Sequence, residues 1–389
     1  MTAAIIGWSH SPFGKLAGQS LEDLIVKAAI DALDHAGIDP ADVDEILLGH
    51  FNAGFSLQSF TASLVLQSHP ALRFTPATRV ENACASGSAA VFQGARAVES
   101  GAARIVLVVG AEKMTDSRGA AVGDNLLRAA YLADESMIEG GFAGVFGKIA
   151  EAYFARYGDQ SDALAAIAAK NHRNGMVNPY AQLRKDLGYD FCRTESEQNP
   201  RVAGPLKRTD CSPVSDGGAA IVLADLDRVG DVRRAVRLRG RSHVQDFLPM
   251  SRRDVLALEG CERAWWQALT QAGVKLEDLS LVETHDCFTI AELIEYEAMG
   301  LTEPGKGAQA IAEGWTQKGG RLPVNPSGGL KSKGHPIGAT GVSMHVLGAM
   351  QLCEQCPPEM QIPGALLAGV FNMGGAGVAN YTSILERVR

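Results

Sequence analysis

The sequence predicts an α/β protein built from two duplicated halves, with mixed sheets lying between helix layers. Three observations predict it. Residues 32–51, ALDHAGIDPADVDEILLGHF, align without a gap on residues 268–287, ALTQAGVKLEDLSLVETHDC, the mark of an internal repeat. A second pair of segments follows one plan: Cys84, a small-residue helix over 86–100, Gly101 and a strand over 105–109 are matched by His335, a helix from Gly338 to about Cys353, Gly364 and a strand over 365–371. Both strands are continuous apolar runs ending in glycine, as strands covered on both faces require.

Each copy of the repeat opens with an amphipathic helix that stops at Ala-Gly, where Gly37 and Gly273 suit the left-handed residue that ends a helix. A short acidic link and an apolar strand come next. The first half takes residues 1–110 and 211–240, the second takes 241–389, and 111–210 is an inserted loop domain. That insertion carries an Ala-rich helix capped by Ser161 and running to His172, then turns at Asn178-Pro179 and Asn199-Pro200. An insertion of this length predicts a substrate cover, with Met114, Met137, Phe142 and Phe146 as wall or core. The strand 219–223 then completes the first half.

Length and composition fit this plan and exclude several functions. A chain of 389 residues suits two or three packed domains, and 46% hydrophobic with 21% charged residues is the balance of a globular protein. A net charge of −8 without a long basic run argues against a nucleic-acid surface. No apolar run reaches the roughly 18–20 residues of a membrane span. The start, Met1 to Trp8, lacks the pattern of a signal peptide, and the end, Glu386 to Arg389, is no targeting tail, so a cytoplasmic protein is expected. Seven scattered cysteines form no disulfide framework. Cys353 and Cys356 have metal-ligand spacing but lack a second pair, and read as helix-end residues.

Four segments carry the chemistry. Cys84 stands where a strand turns into a helix, among Ala83, Ala85 and Gly87, and the positive helix end there favours thiolate. His335 opens the corresponding helix of the second half, in Gly334-His335-Pro336, so a pseudo-twofold packing of the halves would pair it with Cys84. His285 and Cys287, in Glu283-Thr284-His285-Asp286-Cys287-Phe288, share one side of an extended segment at a strand exit. No carboxylate or histidine set at ligand spacing completes a metal site with them. The last glycine-rich stretch, Asn372-Met373-Gly374-Gly375-Ala376-Gly377, lacks the βαβ context of a dinucleotide site and instead suits backbone N–H groups that polarise a carbonyl.

Together these boxes resemble the thiolase superfamily, and its sterol-carrier-protein type in particular. The resemblance spans almost the whole chain and includes Asn178-Pro179-Tyr180, Asp210-Cys211-Ser212-Pro213 and Ser215-Asp216-Gly217-Gly218. It implies a layered α-β-α-β-α thiolase fold and an acetyl-CoA C-acyltransferase that makes or cleaves the C–C bond of a 3-ketoacyl-CoA. In the implied roles Cys84 carries the acyl group, His335 takes its proton, Cys287 is the acid/base at the α-carbon and His285 donates to the second thioester oxygen. The backbone N–H groups of Cys84 and Gly374 would form the other oxyanion hole. Most thiolases hold their acid/base cysteine where this chain has Asn372, and Cys287 stands in for it in the sterol-carrier type. The sterol-carrier domain itself does not follow, so lipid transfer is not expected. Coenzyme A thioesters are the implied substrates, with no resident cofactor. A homodimer or dimer of dimers and a small OB-fold partner protein are the implied associations. The enzymatic alternative is a condensing enzyme with another acyl donor, which needs Cys84, His285 and His335 but not Cys287. The non-catalytic alternative is a scaffold subunit.

Overall fold

The two repeats begin with helices that stop in the same way, on a left-handed glycine. Ser20 caps the first helix in a reciprocal capping box with Asp23, and Gly37 closes it at φ 70°. The helix of the second copy closes on Gly273 at φ 65°. The structure, a computed structural model, describes residues 2–117, 119–227 and 232–389. Its first half runs β1 (Ala3–His10), α1 (Leu21–Ala36), β2 (Glu45–Gly49), β3 (Ala77–Val80), α2 (Ser86–Glu99) and β4 (Ile105–Glu112). An excursion follows through α3 (Ala120–Leu127), α4 (Leu132–Glu135), α5 (Gly141–Tyr157), α6 (Ser161–Met176), α7 (Gly188–Arg193) and the short pair β5 (Arg201–Ala203) and β6 (Leu206–Lys207). β7 (Gly217–Asp225) returns to the first half. The second half contains β8 (Val236–Gln245), α8 (Glu259–Ala272), β9 (Leu281–Glu283), α9 (Thr289–Ala298), α10 (Gly307–Ala312), α11 (Gly329–Lys333), α12 (Ile337–Leu352), β10 (Leu367–Gly374) and β11 (Ala379–Arg387).

The duplication is visible in the sheet order, β3-β2-β4-β7-β1-β8-β11-β10-β9. Outward from the centre, β1, β7, β4 and β2 on one side answer β8, β11, β10 and β9 on the other. Pairing directions match as well: β1–β7 and β8–β11 are antiparallel, as are β4–β7 and β10–β11, whereas β2–β4 and β9–β10 are parallel. The halves share a hydrogen-bonded seam, because β1 meets β8 at Ala4↔Arg237 and Ile5↔Val236. The sheets of the two halves are therefore one nine-stranded sheet. Residue 240, the expected boundary between halves, falls inside β8, and the symmetry assigns that whole strand to the second half.

Helices α1 and α8 cover the outer faces, while α2 and α12 pack against each other between the halves. Every residue of α12 is buried, as a helix in the central layer requires. Small residues set how closely these two helices start. A Cβ on Gly87 would lie 2.8 Å from the carbonyl oxygen of Gly338, and one on Gly341 only 2.2 Å from the Ser88 nitrogen. Glycine at these positions lets two backbones touch, and it is this contact that brings the start of each helix to the other.

The excursion packs on the second half through a buried ion pair. Lys170 of α6 meets Glu292 of α9, both side chains fully buried, and Lys170 Nζ also donates to the Val324 carbonyl at 2.9 Å. Glu292 accepts from Asn171 at 2.6 Å and Asn325 at 3.1 Å as well, so the buried charges are satisfied rather than stranded. Ser161 does not cap α6 as expected. It is the first helical residue, and its own N–H and hydroxyl donate to Asp159 at 2.8 and 2.6 Å. Of the four residues expected as wall or core, Met114, Phe142 and Phe146 are buried, whereas Met137 is 91% exposed. Among the described residues no helix is long and apolar enough to cross a membrane.

Candidate active site

Cys84 lies on a strained elbow. Ala83 before it has φ 49°, a left-handed value unusual for a residue with a side chain. Ser86 stabilises the turn: its hydroxyl donates to the Ala83 carbonyl at 2.6 Å and accepts from the Asn82 N–H at 2.9 Å. The elbow aims the sulfur at the start of α12, where His335 precedes the helix. The Cys84 sulfur and one ring nitrogen each of His285 and His335 all lie within 4.8 Å of one another. The two imidazoles meet edge to face, centroids 5.1 Å apart. Three residues from segments about 50 to 250 positions apart thus form one cluster. Its donor atoms are also close enough to hold a metal ion, which the sequence spacing did not suggest.

The hydrogen bonds fix which nitrogen of each imidazole carries the proton. Thr340 donates its hydroxyl to the Pro336 carbonyl at 3.0 Å and lies 2.7 Å from His335 Nδ1. The hydroxyl hydrogen being spent, Nδ1 must be the donor, and Nε2 of His335 keeps a lone pair with no protein partner. At His285 the order is reversed. The Asn372 side-chain nitrogen lies 3.1 Å from the Cys84 carbonyl and 3.0 Å from His285 Nδ1. An amide nitrogen donates only, so Nδ1 of His285 accepts and Nε2 bears the hydrogen, again without a protein partner. One imidazole offers a base and the other a donor.

Burial sets the charge state. It pushes the Cys84 thiol up to about 12, against the hydrogen bonds that the N–H groups of Gly375 and Cys84 itself give the sulfur. Burial, reinforced by the buried ammonium of Lys333, holds His335 down to about 3. It also holds His285 well below its ordinary value, with His335 and Lys333 adding to the effect. The resting site is therefore a neutral thiol beside two neutral imidazoles. The thiolate expected from the helix end is absent at rest because desolvation outweighs the dipole at a residue only 3% exposed.

Cys287 is also buried, and burial first, with the neighbouring Cys84 sulfur second, pushes its thiol well above the ordinary value. Its sulfur stands outside the close trio. β9 ends at Glu283, so His285 and Cys287 lie on the loop beyond the strand. The Ser212 N–H donates to the Cys287 carbonyl at 2.9 Å and Cys211 bridges Phe288, tying this loop to the segment that closes the excursion. Behind it Asp286 accepts from the N–H groups of Leu330 and Lys331 at 2.6 and 3.1 Å, and Glu295 takes the His285 N–H at 3.0 Å.

Gly374 closes β10 in register with Ala379, and it is the next residue, Gly375 at φ 61°, whose N–H reaches the Cys84 sulfur. Thr340, Asn372, Glu295 and Gly375 are site residues that the sequence did not mark by role. Of the basic residues in the later excursion and on β8, Arg241 pairs with Glu99, Lys207 with Asp210 and Arg201 with Glu195. Arg208 lines an 890 Å³ cavity that Cys211 and Ser212 also line.

The neutral trio has a pH consequence. Proton transfer from Cys84 to His335 within a pair that neither gains nor loses a proton is independent of pH between the two pKa values. Acylation of Cys84 by an acyl-CoA in stopped-quench assays is expected to be flat from about pH 6 to pH 9, whereas a free thiol would gain about tenfold per unit below its pKa of about 8.5. Stability behaves differently. Burial holds His172 and His335 to about 3 and His345 to about 4, each below an unfolded value of 6.5. The native state then binds fewer protons, so their contribution is complete above about pH 6.5 and is lost as pH falls through the unfolded value toward 3–4. Urea midpoints should accordingly drop between pH 7.5 and 5.5; equal midpoints would show these imidazoles to be solvated.

The chain matches known proteins along nearly its whole length. The thiolase N-terminal domain family matches residues 3–227, and the thiolase C-terminal domain-like family matches 242–387. An acetyl-CoA acetyltransferase of Methanothermobacter thermautotrophicus is 34% identical over 99% of both chains. Sterol carrier protein 2 of Homo sapiens is 31% identical over 97% of this chain and 71% of its own length. Among solved structures, an Ltp2-ChsH2(DUF35) aldolase superposes with a TM-score of 0.86 at 23% identity, covering 100% of this chain and 98% of that one. An acetyl-CoA acetyltransferase of Syntrophomonas wolfei superposes at 0.71 and 19% identity, with 99% coverage of each. At those identities the two structures support the fold alone.

Proposed function

The chain belongs to the thiolase family and is an acyltransferase of coenzyme A thioesters, and from that premise we propose the division of labour among its side chains. Cys84 carries the acyl group. His335 Nε2, whose lone pair is unpartnered and whose ring is oriented by Thr340, removes the thiol proton as the sulfur attacks the thioester carbonyl. The carbonyl oxygen turns toward the N–H groups of Cys84 and of the Gly374-Gly375 turn, a developing oxyanion meeting fixed donors. The departing CoA thiolate takes the proton back from His335.

The second half-reaction uses the other two groups. His285 Nε2–H donates to the thioester oxygen of the second acyl-CoA, and Cys287 moves a proton at its α-carbon. The enolate then attacks the acyl-Cys84 carbonyl, the C–C bond forms as the C–S bond to Cys84 breaks, the α-proton held by Cys287 passes to the departing Cys84 thiolate, and thiolysis runs the same steps backward. The single observation that carries this reading is the convergence of Cys84, His285 and His335 within 4.8 Å. Cys287, which a condensing enzyme with another donor would not need, favours the thiolase over that alternative.

The test is direct. Intact-protein mass spectrometry after incubation with acetyl-CoA should show one acetyl group per chain, mapped to the peptide holding Cys84 and removed by added CoA. No adduct, or an adduct on another cysteine, sinks the assignment.

A homodimer joined along β3 belongs to this proposal. β3 is a sheet-edge strand, and the exposed Leu57, Phe60 and Phe74 lie on the chain leading into it. A small partner of the DUF35 kind, present in the aldolase assembly of similar fold, is the second association to seek. Seven free cysteines support a reducing, cytoplasmic setting.

A further inference from the structure

We propose that Asn372 is a positioning residue that holds His285 in the Nε2–H form, making it an obligate donor to the substrate oxygen and withholding its lone pair from metal ions. The proposal rests on the acyl-transfer reading of this site and deepens it.

Neutral imidazole exists in two proton arrangements, and a second-half substrate needs one of them. Asn372 sits in β10 and is fully buried. Its amide orientation is determined on both sides. The nitrogen faces two acceptors, the Cys84 carbonyl at 3.1 Å and His285 Nδ1 at 3.0 Å. The oxygen has no donor and lies against Gly341, where a Cβ would approach it to 2.5 Å. Turning the amide over would press an oxygen against the Cys84 carbonyl oxygen, so the observed orientation is the one the site tolerates. With both amide hydrogens spent, His285 Nδ1 can only accept. Its proton stays on Nε2.

The same bond links the two halves of the reaction. One amide touches the residue that carries the acyl group and the residue that polarises the second substrate, so their spacing is fixed by a single side chain. It also explains how a thiol and two imidazoles within 4.8 Å need not act as a metal trap. A metal requires the lone pair of each imidazole, and at His285 Nε2 that position is occupied by hydrogen.

The test compares Asn372→Asp with Asn372→Ala in the full-length enzyme. A carboxylate accepts from Nδ1–H, so the aspartate variant reverses the proton arrangement, whereas alanine merely releases it. Because Asn372 also touches the Cys84 carbonyl, the rate of Cys84 acetylation is measured in both variants and the C–C bond step is read relative to it. With aspartate, kcat for C–C bond formation should fall by about 10²–10³-fold with little change in KM, the effect of losing one oxyanion donor. Alanine should cost less than aspartate, the reverse of what lost packing would give. Inhibition by Zn²⁺ should tighten about 10–100-fold with aspartate, as His285 Nε2 gains a lone pair.

Aspartate that turns over like the wild type, or alanine that costs as much as aspartate, overturns the proposal. A folding failure of the aspartate variant leaves a direct measurement. The ¹⁵N spectrum of histidine-labelled wild-type enzyme, with the His285 signals assigned by their loss in His285→Asn, should show hydrogen on Nε2 and a bare Nδ1. Hydrogen on Nδ1, or on both nitrogens, overturns it. Absence of acyl-Cys84 in the wild type would instead sink the functional reading, and the nitrogen spectrum judges the tautomer separately.

Discussion

Cys84→Ala should lower the release of acetyl-CoA from acetoacetyl-CoA and CoA by about 10⁴–10⁶-fold, the loss typical when a covalent nucleophile is removed from a preorganised site. The size of the effect follows from the arrangement around the sulfur. Strain at Ala83, the Ser86 brace and the α2–α12 contact all serve to place one atom beside His335. Without the sulfur no acyl-enzyme forms, and the remaining groups can only polarise a carbonyl. Alanine is smaller than cysteine and meets neighbours that are themselves small, so the fold should persist, as circular dichroism would verify. Residual turnover above about one part in a hundred would mean that the acyl group travels by another route.

The plan of the molecule is legible in its sequence because it is written twice. The helix, left-handed glycine, acidic link and strand of 32–51 and 268–287 became α1–Gly37–β2 and α8–Gly273–β9, and the mirrored sheet order follows from that duplication. Cys84 and His335 were readable together for the same reason, as equivalent positions of equivalent helices. What the sequence did not show depends on contacts between distant positions. Asn372 stood out only as a departure at a position where a cysteine was expected, since its partners lie 87 and 288 positions away. Thr340 was in plain view five residues beyond His335, yet its role rests on where its one hydrogen goes. The neutral state of Cys84 is not legible from the helix end, which is a local feature, because burial is a property of the whole packing. Ser161 fails as a cap for a local reason instead: its hydroxyl donates to Asp159, two residues back.

Cys287→Ala should separate the two half-reactions. Cys84 is expected to accept an acetyl group at close to the wild-type rate, while C–C bond formation falls by about 10²–10⁴-fold, the usual worth of a positioned acid/base. The reason lies in the separate tasks of the two sulfurs. Cys84 is a neutral thiol at rest and a neutral thioester once acylated, so the pKa of Cys287 is set in both states chiefly by burial. As a desolvated thiolate Cys287 is a strong base toward an α-carbon polarised by His285 Nε2–H, a task that arises only after Cys84 is loaded. In rapid-quench experiments the alanine variant should show a full burst of acyl-enzyme followed by almost no product. A variant that turns over normally would assign the α-proton to another group, and one that also fails to acylate would reduce Cys287 to a packing residue.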